Sequence, residues 1–582
     1  MTLQNSKLFG DDVNRSSGEE ARRYNLLAAR LIADLVKGLL GPRGLEKMFI
    51  DILGETTVTK HGATLLRKID VEHPAAKLLI EASNAVDNAV GDGTTSVVVL
   101  AGSLIEKAEQ LLNMGFPPAV ISSGYMEALQ IAIKILKALS VDSANSNLTI
   151  LEGLAETCLR SKAVSQLTEQ KKIARLIVDA ICNVANFSKN HVDIDDIKIE
   201  EKLGLISETE LIQGTVIDKT IDDSSMPRLI ENARILLLDT GIEDERTKTD
   251  AEIRISSQKS LKLFSETKIR NLMEKAHNVI NSGANVVFLR GGIDALALNY
   301  FAKNGIVTVR RIKENDLIWL SKATGAKITR DLDHITSDDF GIAQRVYEKF
   351  VGDDRMVFVD GCKNPKSVTL LLRATSKVIL DEFHHTVLDC LSVLKDFVVL
   401  PKIVAGGGSV EAIISFLIIQ RSYLFKGKEQ IVVRKFAEAF EEIPLTIARN
   451  AGMDRINTVT ELRHKISSQR NLTNIKLENG ERNRNHNDNH WYGINAIDRK
   501  IDNMMSLRVI EPVMVKEQIF VSAVELVSLL IRVDDVLMAK PVDDTHSHTH
   551  ADGTTHSHRE GNKAHEHFDK LGKQQRPMHH YY

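Results

Sequence analysis

The sequence predicts a multidomain protein of the α plus α/β class, with an α/β segment inserted into a mainly helical framework. Three observations support this prediction. The chain has 582 residues, enough for roughly three or four domains. Apolar residues recur every three or four positions near both ends, as in residues 19–40, which is the period of a helix. Short β-rich runs are concentrated in the middle, so we expect the chain to leave one domain, build another and return.

The N-terminal elements follow from local patterning. Residues 1–18 are polar, and we expect them to be mobile. A helix is predicted from Glu19 until the breaker GPRG at residues 41–44. Residues 48–66 alternate around Gly54 and predict a β-hairpin. Further helices are predicted at residues 74–85, 97–116 and 117–139.

The middle of the chain reads as an α/β segment. Residues 214–240 carry short β-rich runs that are split by turn residues. Four more strands are predicted in NVVFLRGG (285–292), GIVTVRR (305–311), AKITRD (326–331) and DRMVFVDGC (354–362). Helical or loop segments separate them, which is the pattern of an α/β domain.

Composition excludes several classes of function. The 75 basic and 78 acidic residues give a net charge of −3, which argues against a nucleic-acid-binding body. The four cysteines are scattered and form no CxxC pair, which indicates reduced thiols in a cytoplasmic compartment. The N-terminal segment does not resemble a signal peptide, and the sequence has no run of about 18 apolar residues. We therefore expect a cytoplasmic protein with neither nucleic acid nor membrane as a partner.

The C-terminal tail, residues 541–582, differs from the rest. It holds nine of the 19 histidines and almost no apolar residues, so we expect it to be disordered. The repeats HSHTH (546–550), HSH (556–558) and HEH (565–567) alternate imidazoles, which can chelate Zn²⁺ or Ni²⁺. A solvated tail with only incidental metal affinity is the alternative.

Residues 89–100, AVGDGTTSVVVL, carry the strongest chemical pattern. Gly91 and Gly93 permit backbone geometry that other residues resist, and a helix is predicted to begin just after them. A helix N-terminus favours phosphate, and Asp92 would tolerate phosphate if Mg²⁺ lay between the two. The stretch matches neither Walker A nor GxGxxG. A capped helix start after a tight turn is the alternative.

Two more glycine-rich loops occur far away in the sequence. LLGPRG covers residues 39–44, and AGGGSVEA covers residues 405–412. Three such loops in a mainly helical framework suggest a nucleotide pocket that is assembled from distant segments. HWYGINAID (490–498) and VIEP (509–512) could close its base and ribose side, although their spacing does not show this.

These pieces together resemble the group II chaperonins, the archaeal thermosome and its eukaryotic cytosolic relatives, with the archaeal subunits more similar. The matching text includes LGPRGLEKMFID, GDGTTSVVVLAGSLI, MVFVDGCKNPKSVTLLLR, AGGGSVE and FAEAFEEIPLTIARNAGMD, in family order from about residue 19 to 540. The resemblance implies an ATP-dependent chaperone that encloses unfolded proteins in a double ring with a built-in lid. Its implied partners are unfolded clients and identical or paralogous subunits.

The resemblance also implies a mainly helical equatorial domain that binds ATP, a hinge-like intermediate domain and an α/β apical domain with a helical protrusion. The implied boundaries are 19–146 with 404–540 (equatorial), 147–213 with 366–403 (intermediate), 214–365 (apical) and about 245–283 (lid protrusion).

The resemblance also assigns roles to individual site residues of this chain. Asp92 falls on the Mg²⁺ ligand, and Asp389 falls on the aspartate that orients the attacking water. The residues implied to contact the nucleotide are Leu40, Gly41 and Pro42 in the first loop; Gly93, Thr94, Thr95 and Ser96 at the phosphate turn; Gly407 beside the ribose and base; Gly493 and Asn495 on the adenine side; and Glu511, a ribose-binding carboxylate.

One departure bears on catalysis. The family usually has TNDG where this chain has TKHG at residues 59–62, so His61 replaces an aspartate. We expect a neutral imidazole that accepts a proton but supplies no negative charge. The alternative function is therefore a divergent ring subunit that binds ATP, hydrolyses it poorly and has a structural or regulatory role. The sequence leaves open whether the chain is an active ATPase.

Overall fold

The computed structural model describes residues 13–52, 54–162, 169–243, 258–363, 365–469, 490–539, 545–549 and 555–559. Contacts divide the chain into two units, Arg23–Arg532 and a smaller unit made by Met1–Arg22 with Val533–Tyr582.

The helices are α1 Gly18–Lys37, α2 Gly62–Lys68, α3 Pro74–Val90, α4 Thr94–Asn113, α5 Pro118–Leu139, α6 Leu148–Ser161, α7 Gln170–Val184, α8 Gln258–Asn281, α9 Ala295–Lys303, α10 Glu314–Thr324, α11 Lys377–Val399, α12 Ser409–Ser422, α13 Lys428–Phe440, α14 Glu442–Asn450, α15 Arg455–Ser467 and α16 Val513–Arg532.

The strands are β1 Val13–Ser17, β2 Lys47–Ile50, β3 Thr56–Thr59, β4 Val141–Asp142, β5 Ile197–Leu203, β6 Glu210–Ile212, β7 Thr215–Ile217, β8 Leu229–Leu238, β9 Val286–Leu289, β10 Val307–Val309, β11 Ile328–Thr329, β12 Gly341–Val351, β13 Asp354–Asp360, β14 Val368–Ala374, β15 Lys402–Ala405, β16 Tyr492–Asn495, β17 Lys500–Asn503, β18 Ile510–Pro512, β19 Asp535–Ala539, β20 Thr545–Thr549 and β21 Thr555–Arg559.

The smaller unit contains two antiparallel strand pairs. β1 pairs with β19, so that Val13 lies opposite Ala539. β20 pairs with β21, which places His546 opposite His558 in backbone register. A strand at 13–17 was not predicted, and residues 1–12 lie outside the described residues. The remainder of the histidine-rich tail also lies outside them, and its predicted disorder stays a prediction.

Both ends of the larger unit build one hydrophobic core, which we call the helical core. It is formed by buried residues of α1–α5 and α12–α16. Helix α5 packs in it against α13 and α16. Among the described residues, α5 is the one helix long and apolar enough to cross a membrane, but half of its apolar window is buried in the protein. A core helix of this kind passes the same test, so α5 is weak support for a membrane span.

The middle of the chain forms a sheet in the order β10-β9-β8-β12-β13-β7, with β11 also paired to β8. Strands β8 to β11 run parallel, whereas β12 and β13 are antiparallel additions. This inserted sheet confirms the predicted α plus α/β class. All four of the predicted middle strands are present, as β9, β10, β11 and β13.

A third group of elements links the other two. Strand β5 pairs parallel with β14, although they are more than 160 residues apart in sequence, and β6 completes a three-stranded sheet. Helices α6, α7 and α11 cover this sheet in what we call the linking core. The predicted domain boundaries stay predictions. Most of the predicted protrusion is α8, and residues 244–257 lie outside the described residues.

One local prediction is wrong. The hairpin predicted over residues 48–66 ends at Thr59, where β3 finishes its pairing with β2. Helix α2 begins three residues later, with His61 as its N-cap residue. Five of its residues, Gly62–Leu66, are buried, so core burial overrides the alternating pattern that suggested a longer strand.

Candidate functional site

One open cleft gathers the three glycine-rich loops. The cleft, with the solvent at its open mouth included, has a volume of about 1140 Å³. The predicted residues that line it are Leu40, Gly41, Pro42, Asp92, Gly93, Thr94, Thr95, Ser96, Gly407, Asn495 and Glu511. Lining residues that the sequence analysis missed include Lys60, Thr157, Arg160, Ser161, Lys162 and Lys516. Segments from both ends of the chain therefore meet at one site.

The turn between α3 and α4 presents backbone donors to this cleft. Gly93 is the N-cap residue of α4 in a left-handed conformation (φ 83°), and no side chain caps the helix. The positive φ favours glycine at this position, and a β-carbon on Gly93 would in addition lie 2.4 Å from Ile519 Cδ1, so that this side chain would have to move. Because Thr94 and Thr95 follow at the cleft wall, the uncapped first turn forms an anion-binding position.

The other two glycine loops lie beside this turn. Gly41 has φ 85° and Gly407 has φ 64°, both in the left-handed region. A β-carbon on Gly407 would lie 2.7 Å from Met504 Sδ. Gly493 is not among the cleft-lining residues. It lies behind Gly407, where an added β-carbon would be 2.9 Å from the Gly407 carbonyl oxygen, so it lets β16 approach this loop closely.

Asn495 and Glu511 lie at one side of the cleft. Asn495 Nδ2 donates hydrogen bonds to Asp498 and Asp502 at 3.0 and 3.1 Å. Glu511 Oε2 pairs with Lys516 Nζ at 2.7 Å, and burial raises the pKa of Glu511 although the ammonium opposes this rise. The ion pair with Lys516 thus fixes the side chain of Glu511 at the wall of the cleft.

Lys516 is the cation of a buried triad. Its ammonium lies 2.7 Å from Glu511 and 2.7 Å from Glu411, whose side chain is 0% exposed. Burial lowers the pKa of Lys516, but the two carboxylates outweigh it and hold that pKa above its usual range. The charge of this ammonium compensates the carboxylates at that wall of the cleft.

A second buried lysine connects two predicted site residues. Lys162 Nζ lies 3.2 Å from Asp92 Oδ1 and 2.8 Å from Asp389 Oδ2. Burial raises the pKa of Asp92, but Lys162 and the Gly93 N–H outweigh it and lower that pKa, so Asp92 is a carboxylate at neutral pH. An ionised carboxylate beside a phosphate-binding turn is a suitable ligand for Mg²⁺.

Asp389 does not line the cleft, but its ion-pair partner Lys162 does. No motif in the sequence marks Lys162, which follows α6 in the structure. Lys60 contributes a further cation: its Nζ donates to the Pro42 carbonyl at 3.3 Å, and burial lowers its pKa to about 8. The cleft therefore combines cations, the first turn of a helix and the carboxylates of Asp92 and Glu511.

His61 is not the neutral acceptor that we expected. Its Nε2 lies 3.2 Å from Asp389 Oδ2 and 3.3 Å from Asp87 Oδ1, and its side chain is only 3% exposed. Burial alone lowers the pKa of His61, but the two carboxylates outweigh it and raise the pKa to about 9. With this pKa His61 is an imidazolium at neutral pH. Its Nδ1–H then donates to Thr64 Oγ1, 2.9 Å away, and the 3.3 Å hydrogen bond that Nδ1 accepts from the Thr64 N–H belongs to the neutral ring.

These observations define a multidomain protein whose glycine-lined cleft is assembled from both ends of the chain, with an α/β domain inserted between them. The chain belongs to the TCP-1/cpn60 chaperonin family, whose model matches residues 32–541. This match confirms the family and the fold class predicted from the sequence.

Curated relatives agree with the family match. The chain is 39% identical to thermosome subunit beta of Archaeoglobus fulgidus over 539 residues, which cover 92% of this chain and 95% of the relative. It is 39% identical to thermosome subunit alpha of Aeropyrum pernix, over 91% of this chain and 93% of the relative. A thermosome subunit of Pyrococcus horikoshii is 40% identical, over 92% and 94% respectively.

Proposed function

We propose that this chain is an ATP-driven protein-folding subunit of a group II chaperonin, which encloses unfolded proteins in a double ring with a built-in lid. The observation that carries the proposal is the convergence of three distant glycine loops, an uncapped helix N-terminus and the ionised Asp92 on one cleft. Such a cleft suits a triphosphate with its metal ion. We place the protein in the cytoplasm, with neither nucleic acid nor membrane as a partner.

Each part of the cleft has a proposed role. Residues Thr94–Ser96 and Leu40–Pro42 would hold the phosphates, with Lys60 beside them. Gly407 and Asn495 would face the ribose and adenine, and Glu511 would accept hydrogen bonds from the ribose. Asp92 would hold Mg²⁺, which when bound neutralises charge on the phosphate oxygens. Gly493 would act indirectly, by letting β16 support the Gly407 loop.

Asp389 is proposed to orient the attacking water and accept its proton. It lies on α11 in the linking core, whereas Asp92 belongs to the turn before α4 in the helical core. Lys162 bridges the two carboxylates. Movement of α11 relative to the turn would therefore change the water-orienting carboxylate and the metal-binding carboxylate together, which couples hydrolysis to domain motion.

The purified chain tests this function directly. We expect Mg²⁺-dependent ATP turnover and ATP-dependent refolding of a chemically unfolded test protein, and we expect Asp92→Asn to abolish both. Asp223→Asn removes an exposed carboxylate of the inserted domain region and serves as the matched control. A wild-type chain that binds no nucleotide in an equilibrium assay would overturn the proposal.

The imidazolium at His61 favours one alternative, a ring subunit that binds ATP but hydrolyses it poorly. Its positive charge lies 3.2 Å from Asp389 Oδ2, beside the carboxylate that is proposed to orient water. Comparing the ATP turnover of wild type and His61→Asp decides between the two functions. Wild-type turnover that is slow and that rises in the variant would favour the structural or regulatory role.

Assembly with identical or paralogous subunits has support in exposed apolar side chains. Tyr24, Leu27, Leu31 and Leu35 recur at helical spacing on α1 and are all exposed. The nearby hairpin exposes Met48 and Ile50 on β2. Contiguous exposed apolar side chains of this kind mark protein–protein contacts.

We expect Leu27→Glu combined with Leu31→Glu to prevent ring formation, because two carboxylates would enter an apolar contact. Electron microscopy and size-exclusion chromatography measure the result. Leu205→Glu changes an equally exposed leucine outside this surface and is expected to leave rings intact. Deleting residues 541–582 should also leave them intact. Rings of normal size in the double variant would exclude α1 as a subunit contact.

Zn²⁺ or Ni²⁺ binding by the tail histidines stays a prediction. The side chains of His546, His548, His556 and His558 lie outside the described residues, as do His565 and His567.

A further inference from the structure

The helical core and the linking core meet at a polar seam beside the cleft. Glu382 on α11 accepts hydrogen bonds from Thr59 Oγ1 at 2.7 Å and from the Lys60 N–H at 3.1 Å. About two turns further along the same helix, Asp389 faces His61. The approach is close, since a β-carbon on Gly91 would lie 2.3 Å from Ser392 Cβ. Charges at this seam therefore act at short range with little water.

His61 lies between two carboxylates that belong to different cores. Asp87 is on α3 in the helical core, and Asp389 is on α11 in the linking core. The nearest carboxylate oxygens of both lie within 3.3 Å of His61 Nε2. Two carboxylates so placed repel one another unless a cation lies between them. Here the imidazolium lies between them, while Arg67 pairs with Asp87 and Lys162 with Asp389 from the outer sides.

The other charged and titratable groups around His61 come from every neighbouring element. Arg67 on α2 pairs with Asp87 at 3.2 Å. Lys162 pairs with Asp389 but is shared with Asp92. On α11, the ring of His385 stacks on that of His61 with centroids 6.2 Å apart, and Glu382 is engaged by Thr59 and Lys60. Lys162 and His61 both contact carboxylates on the two sides of the seam, and of these groups His61 is the one that contacts Asp87 and Asp389 together.

We propose that the His61 imidazolium is a charge clasp that holds α11 against α2 and α3 without nucleotide, so that closure of this seam depends on pH. The proposal extends beyond the proposed function, because the clasp acts before any nucleotide binds. An aspartate at position 61 would instead bring three carboxylates together, and such a seam would open until another cation or ligand neutralised it.

The direction of the pH dependence follows from the charge. The pKa of His61 is raised from 6.5 to about 9. The stabilisation of the closed seam by the charge on His61 is therefore complete below pH 6.5 and is lost as the pH rises through about 9. The clasp is therefore closed at neutral pH and opens in alkaline solution. A purely steric role for His61 would show no pH dependence. A capping role, in which Nδ1 accepts from the Thr64 N–H, would strengthen instead of weakening as the pH rises.

A charge series at residue 61 tests the clasp in the full chain without nucleotide. His61→Asn and His61→Asp both keep a good N-cap side chain for α2, so a difference between them isolates charge. The readout is amide hydrogen exchange of α11, compared between variants at equal pH. We expect exchange at neutral pH to be about 10-fold faster in His61→Asn than in wild type, and faster still in His61→Asp.

The same exchange measurement at alkaline pH is the second part of the test. At about pH 10 the wild-type imidazole is neutral, so wild type and His61→Asn should exchange alike. His334→Asn, which removes an exposed histidine, is the matched control and should match wild type throughout. Equal exchange rates of α11 in His61→Asn and His61→Asp at neutral pH would overturn the clasp. Slower exchange in wild type than in His61→Asn that persists at alkaline pH would also overturn it. Because no ATP is present, failure of nucleotide binding would be a separate result.

Discussion

Asp389→Asn is expected to lower the ATP turnover rate about 10²- to 10⁴-fold while changing nucleotide affinity little, because it removes the proposed general base without altering the cleft lining. The substitution keeps the shape of the side chain but not its charge. Asp389 does not line the cleft but contacts Lys162, which does. Single-turnover hydrolysis and equilibrium nucleotide binding, measured on the same preparation, separate the two effects.

Asp396→Asn is the matched control for that experiment. Asp396 lies on the same helix and is also buried, and burial raises its pKa to about 7. An amide at this position resembles the protonated acid, so its effect on turnover should be small. Equal losses in the two variants would point to general disturbance of α11. Unchanged turnover in Asp389→Asn would exclude Asp389 as the base.

The second large effect concerns stability. Lys516→Met is expected to destabilise the protein by about 3–5 kcal/mol, because removing one partner of a buried ion pair leaves uncompensated charge. Here the ammonium serves both Glu411 and Glu511. Denaturant unfolding followed by circular dichroism measures the loss. Restoration of stability by adding Glu411→Gln to Lys516→Met would identify the buried charge as the cause.

The pH dependence of this variant has a defined sign. Burial already raises the pKa of Glu511, and loss of the ammonium raises it further. The folded variant then binds a proton more readily than the unfolded chain, so its loss of stability relative to wild type should become smaller as the pH falls. Lys402→Met breaks an exposed pair with Asp142 and should cost under about 1 kcal/mol at either pH. A Lys516→Met effect no larger than this would refute a compensating role for the triad.

Local patterns predicted the elements that depend on short-range chemistry. The helices flanking the phosphate turn, the four middle strands and the return of the chain to a helical framework all follow from periodicity and turn residues. The hairpin prediction was wrong beyond Thr59 because residues 62–66 are buried in the helical core, and alternation cannot distinguish that burial from a strand.

The amino-acid sequence by itself determined where the backbone must turn: Gly41, Gly93 and Gly407 adopt left-handed conformations that few other residues tolerate. Only the tertiary structure decided the charges. Lys162 became a bridge between Asp92 and Asp389, and His61 became an imidazolium between Asp87 and Asp389. The reason is physical, since a protonation state depends on which distant carboxylates surround a buried group and on how much water is excluded there.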